Sequence, residues 1–211
     1  MVAALVSEAF PLLMGPSRVP VTLSIYGVFA LIAVAWRHAM GVSALHDGAP
    51  LGGTHAFALP LAASLGALCG VAAGVASRSF ARRSRWGHGL YLAMRDVLAG
   101  HPRDATSLSA LTLAAAIGEE LLFRGALLPS VTAHAGPLAG VVVSSVTFGA
   151  LHAPWSRRMI PWTLMATAMG ALFSTLYLVT GEVLAPIVAH AVVNHENLTF
   201  LLDRGARRER S

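Results

Sequence analysis

Six stretches of this chain are each about as long and as apolar as a helix that crosses a bilayer. They run roughly over 20–38, 56–77, 108–128, 137–154, 159–180 and 183–202. A helical span needs ~20 mostly apolar residues, because the hydrocarbon core is ~30 Å thick and a helix rises ~1.5 Å per residue. The chain is 55% hydrophobic and only 12% charged, with a mean hydropathy of +0.66. A soluble domain carries about a quarter charged residues. The expected fold is therefore all-α, a polytopic bundle of about six transmembrane helices. At 211 residues, one integral-membrane domain over 1–211 accounts for the whole length. The first run follows Arg18 and lacks a convincing cleavage pattern, so it reads as a retained helix. The single cysteine, Cys69, excludes a disulfide framework.

The net charge of +5 comes with no lysine at all. The arginines fall in the short loops between runs, which is how topology signals are distributed, and this argues against a nucleic-acid partner. Arg78, Arg82, Arg83, Arg85, Arg95 and Arg103 follow the second run. Arg157 and Arg158 follow the fourth, and Arg204, Arg207, Arg208 and Arg210 follow the sixth. With six alternating spans, all of these share one side with Arg18, while Arg37 stands alone on the other. The positive-inside rule then places both termini in the cytoplasm. Arginine without lysine, in an Ala/Gly/Val-rich chain, points to a GC-rich bacterial genome and so to the bacterial cytoplasmic membrane. Between the second and third runs, residues 86–99 mix Trp86, Tyr91 and leucines with Arg95 and Asp96. That composition predicts an interfacial helix. Residues 41–53, with Pro50 and Gly52-Gly53, read as an ordinary outer loop.

The third run contains two adjacent glutamates, Glu119 and Glu120. Carboxylates in hydrocarbon are costly and rare unless they have a job. Successive helical side chains are ~100° apart, so Glu120 and Arg124 share a face and can pair, whereas Glu119 points well away from Arg124. Glu120–Arg124 then reads as an internal brace, and Glu119 is left for something else. The fourth run ends with Phe148 and His152 on one face. The sixth places His190 and Asn194 on one face, with His195, Glu196 and Asn197 nearer its inner end as interfacial or supporting groups. Polar residues in spans can simply hold helices together. Three spans that between them contribute a carboxylate, two imidazoles and a carboxamide at similar depth point instead to a shared cavity open to the cytoplasmic half.

A carboxylate and an imidazole facing one water can take its proton and make a nucleophile, typically worth about 10²–10⁴-fold. An amide and a second histidine can donate to a developing oxyanion, where each donor is worth on the order of 10²–10³. Glu119, His152, His190 and Asn194 thus suffice for peptide hydrolysis without a covalent intermediate. No Gly-x-Ser-x-Gly elbow, Cys/His pair or His-Glu-x-x-His is present. No cofactor is implied, although zinc held by Glu119, His152 and His190 with a water is a second arrangement the residue types allow.

Glu119-Glu120-x-x-x-Arg124, Phe148-x-x-x-His152 and His190-x-x-x-Asn194, in this order on successive apolar segments, resemble the CPBP family. That family comprises the CAAX prenyl endopeptidases and the bacteriocin-processing or Abi-type membrane proteins. The similarity covers roughly 108–202, the expected catalytic core. It implies a glutamic intramembrane endopeptidase, in which Glu119 activates water with help from His152. By the same resemblance His190 and Asn194 stabilise the oxyanion, and Glu120, Arg124 and Phe148 support them. The chain is shorter than the eukaryotic members, which turns the expectation away from prenylated CAAX proteins. The partners expected are the bilayer and a membrane-anchored protein, leader or sorting peptide. Two rival readings use the same residues: a non-catalytic bacteriocin-immunity or binding protein of this fold, and a proton-coupled transporter working through Glu119.

Overall fold

A computed structural model describes residues 19–41, 57–98, 105–153 and 156–208. The expected outer loop beyond Gly41, and Arg18, Arg103 and Arg210, lie outside them. The described chain is helical, with no strand among the described residues. Helix α1 spans Val19–Ala39, α2 Leu59–Arg83, α3 Arg85–Leu98 and α4 Ala105–Glu120. A π-helical segment, Leu121–Leu127, joins α4 to α5 at Leu128–Leu151. A short 3₁₀ turn, Arg157–Met159, leads into α6 at Ile160–Thr180, and α7 runs Leu184–Arg208.

Four helical stretches are long and apolar enough to cross a membrane by length and composition: Val19–Ala39, Leu59–Arg83, Thr106–Leu151 and Arg157–Thr180. The third, at 46 residues, is over twice the ~20 a bilayer requires. It is not straight. Gly136 adopts φ 84° and ψ 166°, a conformation costly for any residue with a Cβ, and Pro137 follows it. The two arms fold back on each other there. A Cβ on Gly140 would lie 3.0 Å from Leu128 Cδ1, and the Phe123 and Phe148 rings are 5.2 Å apart. In a continuous helix residues 128 and 140 would be ~18 Å apart. The stretch therefore supplies the two antiparallel segments expected as the third and fourth spans. Helix α7 has the length of the sixth span and continues past its expected end at 202. Its histidines, asparagines and charges lower its hydropathy, and it packs against α2, α4 and α6. The result is an all-α membrane bundle of six long segments plus α3.

Polarity runs opposite to that of a soluble protein. Leu31, Leu68 and Leu138 are 70%, 67% and 79% exposed, whereas Glu120 and Arg124 are fully buried. With lipid outside, apolar surface costs nothing and ionic groups must turn inward. Hydrophobic driving force between helices is then weak, so close contact depends on small residues. Helix α2 meets α7 along Gly66, Gly70 and Gly74, spaced four apart. A Cβ on Gly66 would lie 2.3 Å from the Ala185 carbonyl oxygen, and one on Gly70 2.7 Å from that of Ala189. This seam seats the helix that carries His190 and Asn194.

Helix α3 is the expected amphipathic helix, starting one residue earlier, at Arg85. Ser84, in extended conformation, accepts hydrogen bonds on Oγ from the amides of Trp86 at 3.2 Å and Gly87 at 3.4 Å. A serine N-cap satisfies two donors that the first helical turn would otherwise leave open. Trp86 faces outward, while Tyr91 turns inward and meets Phe200 of α7 edge to face at 5.6 Å.

Candidate active site

Glu119 and Glu120 close the last turn of α4, and Arg124 sits in the π-helical segment. Single widened π turns recur at functional sites, because the extra residue redirects side chains. The brace expected from sequence is present. Arg124 Nη1 donates to Glu120 Oε1 at 3.0 Å, with both side chains fully buried. Arg124 Nη2 also donates to the Gly170 carbonyl of α6 at 2.9 Å. Its guanidinium lies over the rings of Phe148 at 4.6 Å, Phe173 at 5.5 Å and Phe123 at 5.7 Å. One buried cation thus ties α4, α5 and α6 together.

Glu120 does more than pair with Arg124. His190 Nδ1 lies 2.8 Å from the same Oε1. A carboxylate can only accept, so Nδ1 carries the proton and Nε2 is the ring nitrogen left for other work. That Nε2 is 4.0 Å from Glu119 Oε2. Phe173 stacks on the imidazole at 5.1 Å, and Phe148 meets it edge-on at 5.9 Å. His190 is therefore fixed in tautomer and in plane. The sequence reading had left Glu120 to Arg124 alone. The bond to His190 crosses 70 residues of chain and has no trace in the phase of a single helix.

His152 forms the C-cap of α5. Its Nδ1 donates to the Phe148 carbonyl at 2.8 Å, since a carbonyl only accepts. Its Nε2 is left as the acceptor. Phe148 and Trp162 flank the ring at 4.9 and 5.5 Å. His152 lies within Coulombic range of Glu119. Glu119 itself is 8% exposed, and its Oε2 is without a hydrogen-bond partner among the described residues. Asn194 is half-buried one turn beyond His190, and no described residue hydrogen-bonds its carboxamide. Trp162 also borders a half-open cleft between α2, α3, α6 and α7, with Tyr91, Asn197 and Phe200 in its walls.

Glu119, Glu120, Arg124, Phe148, His152 and His190 thus converge as the spacing implied, and Asn194 follows one turn after His190 on α7. Of the three residues read as interfacial or supporting, His195 is exposed, Glu196 pairs with Arg78 of α2, and Asn197 lines the cleft. For zinc, no group of three His, Cys, Asp or Glu side chains among the described residues has metal-binding geometry, so Glu119, His152 and His190 do not fit the ion as placed. Phe173, Trp162 and Gly170 escaped the sequence reading. An aromatic or glycine in an apolar run carries no mark of what it touches. The Gly66-x-x-x-Gly70-x-x-x-Gly74 stripe did carry a signal, that of a close helix crossing.

Comparison with known proteins bears on the same segment. Residues 102–195 match the family described as type II CAAX prenyl endopeptidase Rce1-like. The match covers somewhat under half of the chain, and over it the chain is similar to that family. The match agrees with the CPBP resemblance, and it contains every one of the converging residues from Glu119 to His190, and Asn194. A Bacillus subtilis (strain 168) protein, uncharacterized protein YpbD, is 35% identical over 86 residues. The aligned part covers 40% of this chain and 40% of that relative. No solved structure matches. Helices α1 to α3 lie outside the Rce1-like segment, although α2 and α1 pack directly on it. The apolar helices and the Rce1-like match together mark a multi-pass membrane protein.

Proposed function

We propose that the protein is an intramembrane endopeptidase of glutamic type that hydrolyses a peptide bond in a membrane-associated protein, leader or sorting peptide. The observation that carries this reading is the asymmetry of the glutamate pair. Glu120 is committed through Oε1 to Arg124 and His190, while Glu119 makes no hydrogen bond among the described residues, its Oε2 facing His190 Nε2 at 4.0 Å. Keeping a carboxylate in that state is costly unless a water or substrate takes up the open valence.

In the proposed reaction Glu119, helped by His152 Nε2, takes a proton from water. The resulting hydroxide oxygen bonds to the scissile carbonyl carbon, and the carbonyl oxygen becomes an oxyanion. Asn194 donates to it from its amide. His190 donates from Nε2 when the ring carries both protons, with Glu120 as its counter-ion. Collapse of the intermediate breaks the C–N bond, and the proton held by Glu119 or His152 passes to the leaving amine. The distribution of arginines along the sequence supports termini on the cytoplasmic side of a bacterial inner membrane.

The test is a comparison of membrane-protein termini in cells carrying the wild type, Glu119→Ala or His152→Ala. Each variant should insert normally and leave the same precursor uncut. Wild-type processing in the Glu119→Ala cells would overturn the proposal. A phenotype that survives both substitutions would favour a binding or immunity role.

A further inference from the structure

Helix α1 lies outside the Rce1-like segment, yet it is pinned to the catalytic helix on both sides of Glu119. On one side it crosses α4 at Gly118, where a Cβ would lie 2.6 Å from the Tyr26 carbonyl oxygen and 3.0 Å from Tyr26 Cβ. On the other, Arg37 Nη1 donates to the Gly125 carbonyl in the π-helical segment. Arg37 is 4% exposed, so the lone arginine counted on the outer side is a buried clamp. These two contacts fix the depth and rotation of α1 against α4. They place Tyr26 beside the residue that precedes Glu119.

The Tyr26 ring meets Phe29 edge to face at 6.2 Å, which limits its swing. Its phenol is within Coulombic range of the Glu119 carboxylate. No described residue hydrogen-bonds the Tyr26 hydroxyl. A half-buried donor with no acceptor among the described residues and the buried Glu119 Oε2, with no donor among them, therefore occupy one neighbourhood. Both deficits close if the phenol reaches the carboxylate, directly or across a single water, and such a water-bridged bond is nearly as favourable as a direct one.

We propose that Tyr26 is a positioning residue for the hydrolysis: its hydroxyl donates to the Glu119 carboxylate and so orients the base toward its water. The proposal rests on the endopeptidase reading above. It gives α1 a part in the chemistry, although no residue of α1 falls in the Rce1-like segment.

The experiment compares Tyr26→Phe, Tyr26→Leu and Glu119→Ala. The precursor that accumulates with Glu119→Ala supplies the sequence of a fluorogenic peptide spanning its cut site. Cleavage is followed in proteoliposomes of phosphatidylethanolamine and phosphatidylglycerol, with thermal unfolding measured on the same preparations. Tyr26→Phe keeps the ring and the helix crossing. It should lower kcat about ten- to a hundredfold, the range for one hydrogen bond to a charged group. KM should stay within about twofold and the melting temperature should not move. Wild-type kcat in Tyr26→Phe would overturn the inference, whatever Tyr26→Leu does. So would a kcat loss matched by a fall in melting temperature. If Glu119→Ala still processes its substrates, the endopeptidase reading falls and this inference with it. If Glu119→Ala is inactive and Tyr26→Phe is not impaired, only the role of Tyr26 falls.

Discussion

Replacing Glu120 by glutamine should cost far more than the hydrogen bond it alters. Arg124 and Glu120 are both fully buried and pair at 3.0 Å. Without the carboxylate, Arg124 keeps the Gly170 carbonyl and the faces of Phe148 and Phe173, but these are present in the wild type and offset nothing new. An unpaired cation at the centre of a transmembrane helix costs about 2.5–3.5 kcal/mol on insertion scales. Removing one partner of a buried ion pair costs about 3–5 kcal/mol in soluble proteins. The two ranges meet near ~3 kcal/mol, which is the expected loss for Glu120→Gln. Glu120→Gln/Arg124→Met removes both charges and should lose only ~1 kcal/mol, since a buried pair replaced by neutral groups is often tolerated. The coupling between the two sites should then exceed ~2 kcal/mol, well above the ~0.6 kcal/mol average of interhelical hydrogen bonds in membranes. Reversible unfolding in mixed micelles, read on both single variants and the double, measures this. Single losses that add to within ~0.5 kcal/mol would show that the pair is not a brace and refute the reasoning.

Two further outcomes follow from the geometry. Gly70→Val sets a side chain 2.7 Å from the Ala189 carbonyl and should destabilise the bundle by about 1–3 kcal/mol. It should also depress cleavage, because α7 carries His190; Gly89→Ala, where nothing lies within 4 Å, should leave both readings at wild-type level. Cleavage in proteoliposomes should persist after 1,10-phenanthroline and dialysis, given the absence of a three-ligand grouping among the described residues. Loss of activity restored by added zinc would instead make Glu119, His152 and His190 ligands.

Much of this protein was readable before any coordinates, because the governing physics is local. Hydropathy adds residue by residue, so the apolar runs announced helices, and the hairpin at Gly136-Pro137 falls between two of them. Side chains four apart share a face in any helix, so Glu120–Arg124 and Phe148–His152 could be paired from spacing alone. The same phase sets Glu119 off the face that Glu120 shares with Arg124. What spacing could not supply is how one helix is rotated and set in depth against another. That depends on backbone-to-backbone contact at Gly66, Gly70 and Gly118, and on a π turn whose onset no single residue type dictates. Those contacts bring His190 onto Glu120, lay Phe173 against the imidazole, aim Arg124 at the Gly170 carbonyl and draw Tyr26 and Arg37 of α1 onto α4 and the π-helical segment. Local periodicity determined which residues point inward; only the close packing of the helices decided which of them meet.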